Sequence, residues 1–148
     1  MLLDTNIIIY ACQPDGDWLS PWTAHPNAAI AGVTRIEALG FAGISQEEES
    51  AILNFISASP AYALDDEVIE GAIKLRQQKN MKLGDAIIAA IALAYDLPLV
   101  TRNVADFKHI AGLDLRNPFA ISPRGESTTI CYFGPPPPTQ HPHGGIPR

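Results

Sequence analysis

Hydrophobic and polar residues alternate over the first 120 residues between short apolar runs and longer stretches with helical spacing. Apolar residues that recur every three or four positions predict helices with one buried face, and short β-branched runs predict buried strands. The apolar runs predict strands over residues 1–3, 28–33, 61–64, 97–101 and 113–115. The helical spacings predict helices over 7–12, from 34 onwards, and over 45–56, 66–79 and 83–95.

Local signals mark where two of these helices begin. Ser45 with Glu48 three residues later is a capping box, and Asn6 can cap the first helix. The segment 83–95 is apolar on nearly every side, which predicts a buried helix. Because strands that alternate with helices are joined by right-handed crossovers, we expect an α/β fold with a central, mostly parallel sheet covered by helices on both faces.

The composition changes near residue 120. Seven of the 13 prolines lie in 121–148, four of them in the run 135–138. Proline fixes φ and removes a backbone donor, so this segment cannot sustain a helix or a central strand. We therefore expect one folded domain over 1–120 and a Pro-rich tail over 121–148 that is disordered or polyproline-like.

Charge and cysteine content exclude several classes of protein. The 148 residues carry a formal net charge of −6, which argues against a protein that binds nucleic acid or membranes through bulk positive charge. No apolar run is long enough to span a membrane, and the start of the chain lacks the basic and apolar regions of a signal peptide. Two distant cysteines without paired spacing, Cys12 and Cys131, argue against a disulfide scaffold and against a zinc ribbon. We expect a soluble, cytoplasmic protein.

Polar side chains follow the predicted strands at their carboxyl ends, where function collects in an open parallel sheet. Asp4 ends the first run, Glu37 lies just past the second, Asp85 begins the buried helix, and Asn103 and Asp106 follow the fourth run. Taken singly, each has an ordinary explanation as a helix cap, a turn residue or a solvated surface acid. If Asp4, Glu37 and Asp85 converge, they repel one another unless a cation neutralises them. Oxygen ligands suit Mg²⁺ or Mn²⁺ better than zinc.

Four motifs in order resemble the PIN domain family, and more narrowly the VapC-type ribonuclease toxins of toxin–antitoxin modules. They are Leu-Leu-Asp-Thr-Asn at 2–6, Thr-Arg-Ile-Glu-Ala-Leu-Gly at 34–40, Leu-Gly-Asp-Ala-Ile-Ile-Ala-Ala at 83–90, and Leu-Val-Thr-Arg-Asn-Val-Ala-Asp-Phe at 99–107. The resemblance runs from Met1 to about residue 119. It implies a three-layer α/β fold and an Mg²⁺-dependent endoribonuclease that cleaves RNA phosphodiester bonds.

The resemblance also implies roles for individual residues. Asp4, Glu37 and Asp85 would be the metal ligands. The fourth position falls on Asn103, where many members have Asp, and Asp106 lies one short turn later as a substitute. The side chains expected to orient the carboxylates are Thr5, Asn6 and Thr101, and those expected to contact RNA phosphates are Lys82 and Arg102.

Partners follow from the same resemblance: a small VapB-like antitoxin and a second copy of the chain in a homodimer. The apolar surface for them is expected on helices 7–12 and 45–56. Trp18, Leu19 and Trp22 are either exposed anchors or ordinary packing residues, and packing is the favoured interpretation.

Two other functions stay open. One is a catalytically silent PIN-like module that binds a partner, which Asn103 keeps possible. The other is a receiver-like Mg²⁺-binding signalling domain, which is disfavoured because Asp4 is followed by Thr5 rather than by a second acid.

Overall fold

The computed structural model describes residues 1–120. Residues 121–148 lie outside the described residues. The predictions of a boundary at residue 120 and of a Pro-rich tail depend on them. The strands are Leu2–Leu3 (β1), Ala29–Ala31 (β2), Ala61–Tyr62 (β3), Leu99–Val100 (β4) and Leu115–Arg116 (β5). The helices are Thr5–Ala11 (α1), Ser20–Thr23 (α2), Thr34–Leu39 (α3), Gln46–Ala58 (α4), Asp66–Gln78 (α5), Leu83–Ala94 (α6) and Val104–Phe107 (α7), with a 3₁₀ turn at Gly16–Leu19.

The five strands form one parallel sheet in the order β3-β2-β1-β4-β5. The central strand β1 pairs Leu2 with Ala29 on one side and with Leu99 on the other. The predicted α/β class and parallel sheet are confirmed. Receiver domains have the strand order 2-1-3-4-5, so the receiver-like alternative is wrong.

Helices cover both faces of the sheet because successive residues of a strand point to opposite sides. Leu2 and Leu99 pack into a core with α5 and α6, whereas Leu3 and Val100 pack into a second core with α1 and α4. Each of these four side chains is fully buried. One hydrophobic core lies on each face of the sheet. The fold therefore has three layers, with helices on both sides of the central sheet.

Helix α6 has the all-round burial that its sequence predicts: every residue from Ala86 to Ala92 is buried. Its main packing partner is α5. The predicted capping box of α4 is also present, since the Ser45 hydroxyl accepts from the Glu48 backbone N–H while the Glu48 carboxylate accepts from the Ser45 N–H. No helix within residues 1–120 has the length and apolar content needed to cross a membrane.

Several local predictions are corrected. The cap of α1 is Asp4 rather than Asn6, because Asp4 has an extended backbone and its carboxylate accepts from the Thr5 N–H. Similarly, Asp85 does not begin α6 but lies in its first turn, behind Lys82 at the cap position. The predicted strand over 28–33 shortens to three residues, since its neighbours β1 and β3 offer only two residues each for pairing.

The helices expected to provide an apolar surface for partners bury much of their apolar face in the core. Ile7 and Ile8 of α1 are fully buried, and Ile52 of α4 is nearly so. Leu19 and Trp22 are buried, and the half-buried Trp18 packs against the same core, which confirms the packing interpretation over that of exposed anchors. Four of the large exposed aliphatic side chains lie together on α5, on the start of α6 and just before α5: Leu64, Ile69, Ile73 and Leu83. Ile36 on α3 and Leu93 near the end of α6 are exposed elsewhere.

Candidate active site

Three central strands direct their carboxyl ends to one edge of the sheet, where the predicted polar residues gather. Asp4 directly follows β1, and Thr101 directly follows the adjacent β4. Glu37 lies in the first turn of α3, which starts three residues after β2. Asp85 reaches the same edge from the first turn of α6.

Asp4 is a buried carboxylate held by three hydrogen bonds. Its Oδ1 accepts from the Thr5 backbone N–H at 2.7 Å. Its Oδ2 accepts from the Thr101 hydroxyl at 2.7 Å and from Asn6 Nδ2 at 3.1 Å. With only 5% of its surface exposed, the side chain has a fixed orientation, because any rotation would break bonds to α1 and to the end of β4.

Glu37 is joined to Asp4 through one threonine. The Thr5 hydroxyl donates to Glu37 Oε1 at 2.9 Å and lies 3.3 Å from the Thr34 hydroxyl, which is fully buried. Thr5 therefore supports both carboxylates, one through its backbone and the other through its side chain.

Glu37 also lies directly against the first turn of α6, and Gly84 makes this possible. A Cβ added at Gly84 would be 2.4 Å from Glu37 Oε2 and 2.9 Å from its Cδ. Any larger residue at this position would have to displace the Glu37 carboxylate. The glycine beside Asp85 thus brings α3 and α6 together at the site.

The carboxylates interact electrostatically. The pKa of Asp4 is raised from 3.8 to about 6, by burial first and also by the negative charges of Asp85 and Glu37, while the hydrogen bonds from Thr101 and Thr5 act in the opposite direction. The pKa of Asp85 is also raised, by burial first and then by Asp106 and Glu37, with Lys82 opposing. Four acidic side chains therefore influence one another at this edge of the sheet.

Little positive charge balances this cluster. Among residues 1–120, the one ion pair within 4.0 Å joins Asp114 and Arg116, away from the cluster. Buried carboxylates without a counter-charge are costly, and a bound cation would remove that cost. An all-oxygen donor set of this kind fits a hard divalent cation. Within the described part of the chain, no three acidic, histidine or cysteine side chains lie close enough together to form a metal-binding group. The fit to a cation therefore rests on the charge of the carboxylates and on their donor chemistry.

The remaining predicted site residues lie around this cluster. Asn103 donates its backbone N–H to Thr101 Oγ1 at 3.0 Å, and its side chain lines a cavity beside Glu37. Asp106 is exposed in α7 and raises the pKa of Asp85. Arg102 donates to the Tyr10 hydroxyl, and its guanidinium carbon lies 4.8 Å from the centre of the Tyr10 ring and 5.0 Å from that of Phe119.

Sequence reasoning missed Gly84, Thr34 and Tyr10. The glycine had a detectable signal, since glycine weakens a helix interior and calls for a packing reason. Thr34 begins α3 directly beyond β2, where a buried hydroxyl is easily mistaken for an ordinary helix-start residue. Tyr10 is not identifiable from sequence, because its contacts with Arg102 and Phe119 bridge more than 90 residues.

Comparison with known proteins assigns the fold to a family. The model of the PIN domain family matches residues 1–113. A toxin–antitoxin complex from Klebsiella pneumoniae contains a chain 31% identical to this one, with a TM-score of 0.61, and the match covers 76% of this chain and 93% of that one. VapBC2 from Rickettsia felis, solved with a DNA fragment from its promoter, gives 26% identity and a TM-score of 0.66 over 78% and 96%.

FitAcB from Neisseria gonorrhoeae, at 22% identity and a TM-score of 0.61 over 78% and 96%, supports the fold alone. No curated protein matches the sequence. The chain belongs to the PIN domain family. The solved structures that it resembles include a toxin–antitoxin complex and VapBC2.

Proposed function

We propose that this protein is a metal-dependent endoribonuclease and the VapC-type toxin of a type II toxin–antitoxin pair. The observation that carries the proposal is the buried Asp4, whose pKa is raised to about 6 beside Glu37 and Asp85. A carboxylate that is costly to keep charged, oriented by three hydrogen bonds, suits a site that gains its counter-charge from a bound cation. Membership of the PIN family supports the same reaction class.

In this proposal, Asp4, Glu37 and Asp85 hold Mg²⁺, and Mn²⁺ can replace it. When bound, such an ion lowers the pKa of a coordinated water and neutralises the charge of the phosphate that is attacked. Thr5, Asn6 and Thr101 keep the carboxylates aimed into the site, as partners of metal ligands commonly do. The nuclease domain is residues 1–120.

The fourth acidic position is assigned to Asp106 rather than Asn103. Asp106 contributes to the raised pKa of Asp85, so its charge is already felt in the cluster. Asn103 is neutral, and its side chain lines the neighbouring cavity. Lys82 opposes the raised pKa of Asp85 and so supplies positive charge beside it, as a phosphate contact requires. Arg102, on the far side of Asn6, is the second proposed phosphate contact.

We further propose a VapB-like antitoxin as the protein partner, and the cytoplasm, where cellular RNA is accessible, as the location. The support for the partner is that the similar solved structures are toxin–antitoxin complexes. RNA is the proposed substrate.

A homodimer is proposed through the exposed aliphatic face of α5 and α6. Leu64, Ile69, Ile73 and Leu83 are 38–59% exposed there and line an apolar groove of about 440 Å³. The charges of this segment fall into two opposite halves: acidic Asp66, Glu67 and Glu70, then basic Lys74, Arg76 and Lys79. Two copies of α5 packed antiparallel about a two-fold axis would pair acidic with basic halves. A second copy therefore fits this face in both hydrophobicity and charge.

The direct test is cleavage of single-stranded RNA by the antitoxin-free protein over a range of Mg²⁺ concentrations. We expect cleavage that requires Mg²⁺ and is lost in EDTA. Asp4→Asn should reduce the rate by at least 100-fold while circular dichroism stays unchanged. Asp96→Asn is the matched control, because Asp96 is exposed beyond the far end of α6 and has a positive φ of 52° that Asn also tolerates.

A second candidate function remains, a catalytically silent PIN module that binds a partner. The amide of Asn103 in place of a carboxylate favours it. The same assay separates the two: a wild-type protein that binds Mn²⁺ or an antitoxin but cleaves no RNA at any Mg²⁺ concentration would support the silent module and contradict the nuclease proposal.

A further inference from the structure

A cavity of about 610 Å³ opens beside the carboxylate cluster and shares Glu37 with it. One wall is formed by α1, and Gln13 extends it just beyond the end of that helix. The other walls come from the segment after α3 and from the start of α7. The lining residues are Asn6, Ile9, Tyr10, Gln13, Glu37, Phe41, Arg102 and Asn103.

The lining combines apolar and aromatic surface with neutral amides. Ile9, Tyr10 and Phe41 supply the apolar part. The side-chain amides of Gln13 and Asn103 have no hydrogen-bond partner among residues 1–120, unlike that of Asn6, which donates to Asp4. A flat apolar body with donors and acceptors along its edge is the chemistry of a nucleobase, which proteins bind in single-stranded RNA by stacking and by amide contacts to its edge.

The aromatic wall is held in place without a ligand. The Tyr10 hydroxyl accepts a hydrogen bond from Arg102, whose guanidinium lies over the Tyr10 ring at 4.8 Å. The Phe119 ring packs on Tyr10 with centroids 5.2 Å apart. A wall fixed in this way loses little conformational entropy when a ligand packs against it.

The distance along the wall suits a neighbouring nucleotide. Tyr10 follows Asn6 by four residues, so it lies about 6 Å farther along the axis of α1. Gln13 lies just beyond the end of that helix, where its backbone N–H donates to the Tyr10 carbonyl at 3.2 Å. Asn6 contacts Asp4, at the position where the phosphate would be attacked. A nucleoside attached to that phosphate can therefore reach Tyr10 first and Gln13 beyond it.

We propose that this cavity is a nucleobase subsite. It takes the base of a nucleotide adjoining the scissile phosphate, with the Tyr10 ring against the base and the amides of Gln13 and Asn103 at its edge. The inference rests on the proposed function for the location of the scissile phosphate, and it assigns to Tyr10 and Gln13 a role in substrate selection.

Binding measured without cleavage tests the subsite separately from catalysis. The probe is a set of short single-stranded oligoribonucleotides, each carrying 2-aminopurine at one position, titrated with the full chain in EDTA. Packing of the base against Tyr10 should quench 2-aminopurine fluorescence at one position of the strand. Tyr10→Leu should weaken binding by about tenfold and abolish the quenching, since a base–aromatic contact contributes that much to affinity.

Matched variants separate recognition from structural damage. Tyr10→Phe keeps the ring and should retain the quenching. Gln13→Leu should reduce the differences in affinity among strands with different bases at the quenched position. Gln78→Leu, on the exposed end of α5, should change neither quantity.

Two outcomes would overturn the inference. In one, Tyr10→Leu and Gln13→Leu bind and cleave every strand as the wild type does, so the nuclease proposal stands and the subsite fails. In the other, the same two variants lose affinity only for the antitoxin, which would assign the cavity to a protein segment. If the quenching is found but Mg²⁺ produces no cleavage, the subsite stands and the nuclease proposal fails.

Discussion

Asp4→Asn should stabilise the metal-free protein, although it removes a central residue of the candidate site. A carboxyl whose pKa is raised from 3.8 to about 6 by folding destabilises the charged native state. At about 1.4 kcal/mol per unit, this shift corresponds to a penalty of about 3 kcal/mol at neutral pH. Asparagine is neutral and nearly isosteric, so the variant avoids the penalty.

The variant also loses something, because an amide nitrogen replaces one carboxylate oxygen. Oδ2 of Asp4 accepts from both Thr101 and Asn6. The Thr101 hydroxyl can reverse its direction, whereas turning the Asn6 amide would give up the contact of its Oδ1 with the Arg102 N–H. About 1 kcal/mol is therefore lost with one hydrogen bond. The net expectation is a gain of about 2 kcal/mol in the free energy of unfolding at pH 7.5.

The pH dependence has a definite sign. Because the raised pKa belongs to the folded state, the penalty is present in full above pH 6 and is relieved as the pH falls toward 3.8. The wild type should therefore recover stability relative to Asp4→Asn on acidification. Urea unfolding in EDTA at pH 7.5 and pH 5, followed by tryptophan fluorescence, measures the difference, with Asp96→Asn as the control. A variant that is less stable than the wild type at pH 7.5, with the same pH trend, would refute the reasoning.

Three further predictions concern the surroundings of the site and the exposed face. Gly84→Ala should change the thermal midpoint little, because the higher helix propensity of alanine offsets the loss of the Thr5–Glu37 hydrogen bond. Mg²⁺-dependent cleavage should fall at least tenfold, because the added methyl group displaces the Glu37 carboxylate. Unchanged cleavage would contradict this. Thr101→Val removes the hydroxyl that donates to Asp4, so it should raise the pKa of Asp4 further and destabilise the fold by about 1–2 kcal/mol. Carbon-13 NMR of the Asp4 carboxyl measures this pKa, and a lowered value would contradict the prediction. Ile73→Glu places a charge on the exposed aliphatic face of α5 and α6, so light scattering should show a monomer in place of the dimer. Ile36→Glu, on α3 and away from that face, should leave the dimer intact. A monomeric wild type would contradict the proposed dimer.

Much of the fold follows from the order of hydrophobic patterns. The alternating strands and helices predict a parallel sheet, and β1 with only Leu2 and Leu3 is enough because each residue serves one of the two cores. The all-apolar segment 83–95 correctly predicts the buried α6. Local boundaries were less predictable because pairing partners limit them, as the shortening of 28–33 to three residues illustrates.

The site was predictable at the level of which polar residues share an edge of the sheet, and less so in its contacts. Asp4 and Thr101 are 97 residues apart in sequence, but they follow the adjacent strands β1 and β4 and therefore meet at the same edge of the sheet. The close approach of Gly84 to Glu37 depends on how α3 and α6 pack, which periodicity does not encode. The roles of these residues in metal binding and catalysis stay predictions.

The central claim is that Asp4, Glu37 and Asp85 share one divalent cation. The most direct measurement is a crystal structure grown with Mn²⁺, in which anomalous scattering locates the ion. We predict a single strong peak within about 2.5 Å of an oxygen of each carboxylate. A peak elsewhere, or density that leaves Asp4 without a bound ion at saturating Mn²⁺, would contradict the claim.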